Sequence, residues 1–449
     1  METKMISLDT GLGRIKGFET EKCRVFLGIP FAKAERFGYA RIIDFWESEI
    51  DATKTGHACP QNRAWHPHLE HPVRRFYHRE FREGMEFTYD EDCLNLNIYA
   101  PKNVKDAPVI VFFYGGGFDS GINCEKPFEG YSLADRGVIT VFANYRVGAL
   151  GYLTHEEIKK ECGREGNFGL DDQRKTVLWV RDHIRDFGGD PDNITLMGQS
   201  AGAISIQYML LNPENEGLFR HVIMMSGAGR WPKFSLPKFA EKTHGYWKQF
   251  MELAGCPSLD ELKSASLDVL FDAAEKIKVI RKDSVYNTMP VVDGVLLKDE
   301  VGKLIGHPLD VDVMIGYTNN DMYAPMLAFA GNRYARRHHG YVYFFDLDSP
   351  GDENGAFHSS DLYYVFGTMD KNWRPYGERD REVSSELMNS IANFARAGDP
   401  NGEGAPFWPK PGRGLRTKVL HIAPEGSGTG HTPYFRLLKN FLKKGEPKA

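Results

Sequence analysis

The sequence predicts an α/β protein built on a central, mostly parallel twisted sheet flanked by helices, and three observations carry that prediction. Short, wholly apolar runs such as "VIVFF", "ITVFA" and "VIMM" recur from about residue 106 onward. They are too short for helices and lack the alternation of a half-exposed strand. Between them lie segments with apolar residues at helical spacing, most plainly "DDQRKTVLWVRDHIRDFGG", which stops at a glycine pair. Strands buried on both faces and separated by helices imply parallel pairing under a helical cover on each side.

Taken in order, "APVIVFFYGGG" reads as a buried strand entering a glycine loop, and "GVITVFANYR" as the next strand. The long helix follows, then the strand "ITLMG", a helix opening just after Ser200, and the strand "RHVIMMSG". The segments "LPKFAEKTHGYWKQFMELAG" and "LDELKSASLDVLFDAAEKI" are amphipathic helices with no strand between them. They predict a helical cap over about residues 232–280. Two more strands, "DVMIGY" and "YVYFFDL", complete the alternation. No repeat or linker divides the 449 residues, which are taken as one domain with its cap.

Composition narrows the function. With 41% hydrophobic and 12% aromatic residues the chain can bury a large core. A net charge of −5 and a pI near 6.3 give no electrostatic footprint for nucleic acid. The basic stretches "RYARRHH" and "LLKNFLKKGEPKA" read as solvated surface. No apolar run approaches the ~18 residues of a spanning helix, and the first residues lack the pattern of a secretion signal. A cytoplasmic protein with no membrane span is expected. The six cysteines are scattered and form no C-x-x-C pair. His66, His68, His71 and His78 lack regular ligand spacing and read as a surface loop, so neither metal nor cofactor is expected. The run "GLGRIKG" approaches a dinucleotide fingerprint but precedes the βα alternation and carries one residue too many. The "GGG" cluster lacks the Lys-Ser/Thr of a phosphate loop.

What remains is the pentapeptide "GQSAG", in which Ser200 stands between Gly198 and Gly202 where a strand meets a helix. A sharp strand-to-helix turn strains its central residue and exposes the hydroxyl, and flanking glycines remove the side chains that would collide. The next N–H, that of Ala201, opens the helix and directs partial positive charge at a developing anion. The second glycine cluster, also at a strand end, suits backbone donors to the same oxyanion.

With those residues stand "FLGIPFA", "EDCLNLNIYAP", "VIVFFYGGGF", "NYRVGALGYL", "GNFGLDDQRKTVLWVRDHIRDFGGDPDNITLMGQSAG" and "AFHSSDLYYVFGT". Their order and content resemble the type B carboxylesterase/cholinesterase family of the α/β-hydrolase fold across most of the chain. The resemblance implies Ser200 as nucleophile, His358 as catalytic histidine and Asp321 in "IGYTNNDMYAP" as the acid. It further implies Gly116, Gly117 and Ala201 as oxyanion donors and Ser226 as a supporting serine near the acid and histidine. Independently of the family, the order serine, acid, histidine is the one this fold uses. Against His358, His338 and His339 precede a strand at its wrong end, while His421 and His431 lie further on. Asp310 and Asp312 are poorer candidates for the acid.

The chain departs from the family in several places. Asp followed by Met stands where Glu followed by Gly is usual, and Gln199 replaces an acidic residue before the nucleophile. Asp321 and His358 lie only 37 positions apart, a shortened insertion. Cys59 and Cys93 align with a family disulfide. "FREGMEFTYDEDC" has no tryptophan where choline-binding relatives place one, so a cholinesterase is not expected. Phe118, Trp231 and Met322 are candidate pocket residues. The expectation is a serine carboxylesterase acting on a small-molecule ester through an acyl-enzyme. The rivals are a non-catalytic binding or adhesion relative, or an acyltransferase or amidase using the same triad.

Overall fold

A computed structural model describes residues 3–227, 229, 236–284, 287–321, 323–338, 340–412 and 417–443. Its strands are, in chain order, β1 (Lys4–Thr10), β2 (Gly13–Glu19), β3 (Cys23–Pro30), β4 (Ala32–Lys33), β5 (Arg41–Ile42), β6 (Ile50–Asp51), β7 (Asn95–Pro101) and β8 (Ala107–Phe113). They continue with β9 (Ile139–Ala143), β10 (Gly189–Gln199), β11 (His221–Met225), β12 (Asp312–Thr318), β13 (Tyr341–Phe345), β14 (Lys418–Ala423) and β15 (Gly426–His431). The main sheet runs β1-β2-β3-β7-β9-β8-β10-β11-β12-β13-β14-β15, with β6 attached to β2; β4 and β5 form a separate ladder.

From β9 to β14 every pairing in this order is parallel. The strands β9, β11 and β13 are buried at every position, as their unbroken apolar runs require. The sheet's two ends are antiparallel: β1, β2, β3 and β7 on one side, and the β14–β15 hairpin on the other. These were not among the expected strands. Helices Phe168–His183, Ala201–Leu210, Ala324–Arg337 and Glu378–Ala397 flank the parallel strands.

The cap region differs in detail from the expected pair of helices. Residues 236–243 form no α-helix; Phe239 bridges to Val292 and a 3-10 turn covers Ala240–Lys242. Helix His244–Ala254 starts only after Thr243, whose hydroxyl donates back to the Ala240 carbonyl at 2.6 Å. The second segment breaks into Leu259–Ser264 and Leu267–Ile280 because Ser266 caps the latter by accepting from the Val269 N–H.

Parallel register brings the carboxyl ends of neighbouring strands to one edge. Gly198 lies opposite Phe113, Gln199 opposite Met225, Met225 opposite Gly316, and Thr318 opposite Phe345. The loops leaving these strands carry the candidate residues, as expected of an open α/β sheet.

Candidate active site

Ser200 follows the last residue of β10 and precedes helix Ala201–Leu210, with φ 54° and ψ −118°. Its N–H donates to the Met225 carbonyl at 2.8 Å, and its own carbonyl accepts from the Ile204 N–H at 3.0 Å. Its hydroxyl caps nothing in the helix it opens. The turn closes only around glycine. A Cβ on Gly202 would lie 2.0 Å from the Phe113 carbonyl oxygen, and one on Gly198 would lie 2.6 Å from the carbonyl carbon of Gly202. Four residues of this region hold positive φ without being glycine: Phe118 at 64°, Ser200 at 54°, Ser226 at 51° and Ser359 at 78°. Such strain persists where surrounding structure over-determines it, and it gathers at functional sites.

The acid and the histidine come from the loops after β12 and β13. Backbone bonds stitch those loops together: Asn319 N–H donates to the Phe345 carbonyl and Asn320 N–H to that of Ala356, both at 2.9 Å. Asn320 and Phe357 then pair as an isolated parallel bridge. The result sets His358 Nδ1 2.6 Å from Asp321 Oδ2, with the carboxylate buried and the imidazole one-fifth exposed. Tyr77, on helix Pro72–Phe81, donates its hydroxyl to the His358 carbonyl at 3.4 Å.

Burial works against the charge on Asp321. The His358 imidazole, the Tyr323 N–H and the Ser226 hydroxyl outweigh it and hold the carboxyl below its ordinary range. Burial likewise disfavours the imidazolium of His358, yet the Asp321 carboxylate, helped by Asp361, raises its pKa above 6.5. Asp361 is itself fully buried. One oxygen accepts from the Tyr343 hydroxyl at 2.7 Å, and burial pushes its carboxyl up to about 6.

The fourth group at His358 is Gln199, whose amide nitrogen lies 3.1 Å from Nε2. With Nδ1–H given to Asp321, Nε2 is an acceptor and the amide N–H donates to it. Among the described residues, Nε2 therefore meets Gln199 rather than the Ser200 hydroxyl. Gln199 is packed tightly against the glycine loop, since a Cβ on Gly115 would lie 2.5 Å from its Oε1.

The glycine loop after β8 turns through Gly116 at φ 110° and Gly117 at φ 66°. A Cβ on Gly116 would strike the Ser120 carbonyl at 2.1 Å, whereas beside Gly117 the space is open. Tyr114 and Tyr145 hold the loop's base, their rings stacked at 4.4 Å and each hydroxyl donating to the other's carbonyl. Among the described residues the N–H groups of Gly116, Gly117 and Ala201 have no hydrogen-bond partner. Phe118 is buried with its ring against Tyr152 at 5.4 Å. Trp231 and Met322 lie outside the described residues, as does His339.

The competing residues sit elsewhere. His338 stacks on Tyr334, and His421 pairs with Asp346 at 2.8 Å. His431 ends the edge strand β15. Asp312 pairs with His221 at the opposite end of β12, beside the exposed Asp310. His66 meets Asp272 and His68 lies between Glu70 and Glu275, and among the described residues no group of three or more ligating side chains is placed to hold a metal ion. Cys59 and Cys93 are free, buried thiols; the neighbouring Cys59, then burial, push the Cys93 thiol up. Tyr77 and Asp361 were not singled out in the sequence. For Asp361 the signal was present, a carboxylate at the head of the apolar run "DLYYVF".

No described helix is long and apolar enough to cross a membrane. The carboxylesterase family profile matches residues 3–329 and 321–444. The para-nitrobenzyl esterase of Bacillus subtilis is 29% identical over 471 residues, covering 89% of this chain and 91% of its own. The bile salt-activated lipase of Mus musculus is 29% identical over 482 residues, covering 85% and 76%. A solved PNB esterase superposes with a TM-score of 0.83 at 25% identity, over 97% of this chain and 99% of that one. The sheet is accordingly that of the α/β-hydrolase fold, and the chain belongs to the carboxylesterase family, a carboxylic ester hydrolase acting on small-molecule esters.

Proposed function

We propose that this hydrolase works through Ser200, His358 and Asp321, with Gly116, Gly117 and Ala201 supplying the oxyanion hole. The observation that supports this most is the convergence of an acid–imidazole pair 2.6 Å apart on the same sheet edge as a strained serine and three unpartnered amides. Asp321 holds His358 in the tautomer protonated at Nδ1, which leaves Nε2 able to take a proton. On substrate entry Nε2 exchanges the Gln199 amide for the Ser200 hydroxyl. Oγ then attacks the ester carbonyl as its proton passes to Nε2. The tetrahedral oxyanion is met by the three N–H groups, each worth about 3 kcal/mol by the behaviour of such donors elsewhere. The imidazolium returns the proton to the departing alcohol, leaving an acyl-Ser200. Water activated by the same nitrogen releases the acid.

Hydrolysis of p-nitrophenyl acetate, butyrate and octanoate by the wild type and by Ser200→Ala tests the assignment. The variant is expected to lose at least about 10⁴-fold in kcat while keeping its circular dichroism spectrum. Equal rates in the two proteins would remove Ser200 from the mechanism.

A further inference from the structure

A cavity of about 260 Å³ that no catalytic step uses shares the helix Pro72–Phe81 with the site. Arg63, Arg74, Arg82 and His78 line it together with Met85 and Phe87, and no carboxylate is among its lining residues. The three guanidiniums are unequally satisfied. Arg82 is buried and gives its Nε to Glu125 at 2.6 Å and its Nη2 to Gln61 at 3.2 Å. Arg74 donates to the His66 carbonyl at 3.1 Å. Arg63, in the single turn Asn62–Trp65, has neither a salt bridge nor a hydrogen bond among the described residues. Burial, and then the charge of Arg82, press on its protonated form, and the more weakly acting Asp119 and Glu125 do not offset them. Burial and Arg82 likewise press His78 toward its neutral form.

The cavity is coupled to the site through helix Pro72–Phe81. Arg74 and His78 of that helix face the cavity. Phe76 packs its ring against Phe357 at 5.0 Å, and Tyr77 bonds the His358 carbonyl. The charge of Arg63 acts on Tyr77, and Arg63 in turn feels the charge of Asp119, which follows the oxyanion loop. A half-buried guanidinium with no direct partner among the described residues, beside two further arginines and apolar walls, is relieved by an anion, and its planar fork fits a carboxylate. The apolar lining suits a carbon chain that ends in such a group better than an inorganic ion.

We propose that this arginine pocket binds the free carboxylate of a half-ester, so that monoesters of dicarboxylic acids are a preferred substrate class of the enzyme. The inference rests on the esterase reading above and adds the substrate's charge to it.

The test compares monoethyl and diethyl esters of glutaric, adipic, suberic and terephthalic acids at pH 7.5, followed by acid release. For at least one acid the monoester is expected to show kcat/KM about tenfold or more above the diester. That ratio should shrink as salt is raised. It should fall about tenfold in Arg63→Gln and in Arg74→Gln, recover in part in Arg63→Lys, and stay unchanged in Arg14→Gln on β2, next to the sheet's outermost strand β1. Circular dichroism checks that each variant is folded, and the two glutamine variants guard against failure of either one. Diester hydrolysis with no monoester preference at any chain length would overturn the pocket's role and leave the esterase reading standing. Hydrolysis of no ester of either kind would overturn both.

Discussion

Gln199 and Asp361 act on His358 from two sides, one neutral and one ionisable. The Gln199 amide sits on Nε2 at 3.1 Å, and the charge of Asp361 supports the imidazolium. Because Asp321 and Asp361 raise the pKa of His358, the protonated, inactive form persists to a higher pH than for a free imidazole. The kcat/KM profile is therefore expected to fall, as pH is lowered, through a midpoint above 6.5. Gln199→Glu places a carboxylate against Nε2, favours the cation and should move that limb upward by about one unit or more. Asp361→Asn removes a charge that favours the cation and should move it downward. A pH series on the three proteins checks both signs; shifts in the same direction would show that electrostatics at His358 is not what sets the limb.

At the scale of elements, the turn around Ser200 closes directly on the backbone of β8. Gly202→Ala pushes a methyl to 2.0 Å from a backbone oxygen of β8, and no side chain can yield there. A loss of about 1–3 kcal/mol or more is expected, read as a lower urea midpoint at unchanged slope. That joint was legible in the sequence, because glycine spacing, an apolar strand and a following helix are local signals. So were the parallel strands β8 to β13, whose burial on both faces writes itself as continuous apolar residues. The antiparallel flanks were not. β1 alternates exposed with half-buried positions, and β15 reads "GSGTGH", with no apolar pattern at all. Their strand character comes from the neighbour they pair with. The Gln199 amide on Nε2 was equally hidden, since the sequence shows only a missing carboxylate. Its position follows from the packing of the glycine loop against the turn.

Across the whole molecule, one buried ion pair joins the cavity helix to the histidine loop. Glu80, on Pro72–Phe81, accepts from Arg374 at 2.9 and 3.1 Å, from Trp373 at 2.9 Å and from Asn372 at 3.1 Å. Both charged side chains are fully inaccessible. Arg374 also reaches Asp352 at 2.8 Å, in the loop that leads to His358. Removing one partner strands a charge, so Arg374→Met is expected to cost about 3–5 kcal/mol. The double variant Glu80→Leu, Arg374→Met should lose less than the two single losses combined, as thermal melts would show. The parallel register carries a different implication. Ser200, Ser226, Asp321 and His358 hang from the ends of β10, β11, β12 and β13, adjacent strands about 4.8 Å apart. Gln199 and His358, 159 residues apart in the chain, meet only when all four strands are in place. Ester turnover is thus a stopwatch for refolding: it should return with the slowest, most non-local strand pairing, well after helical signal has recovered.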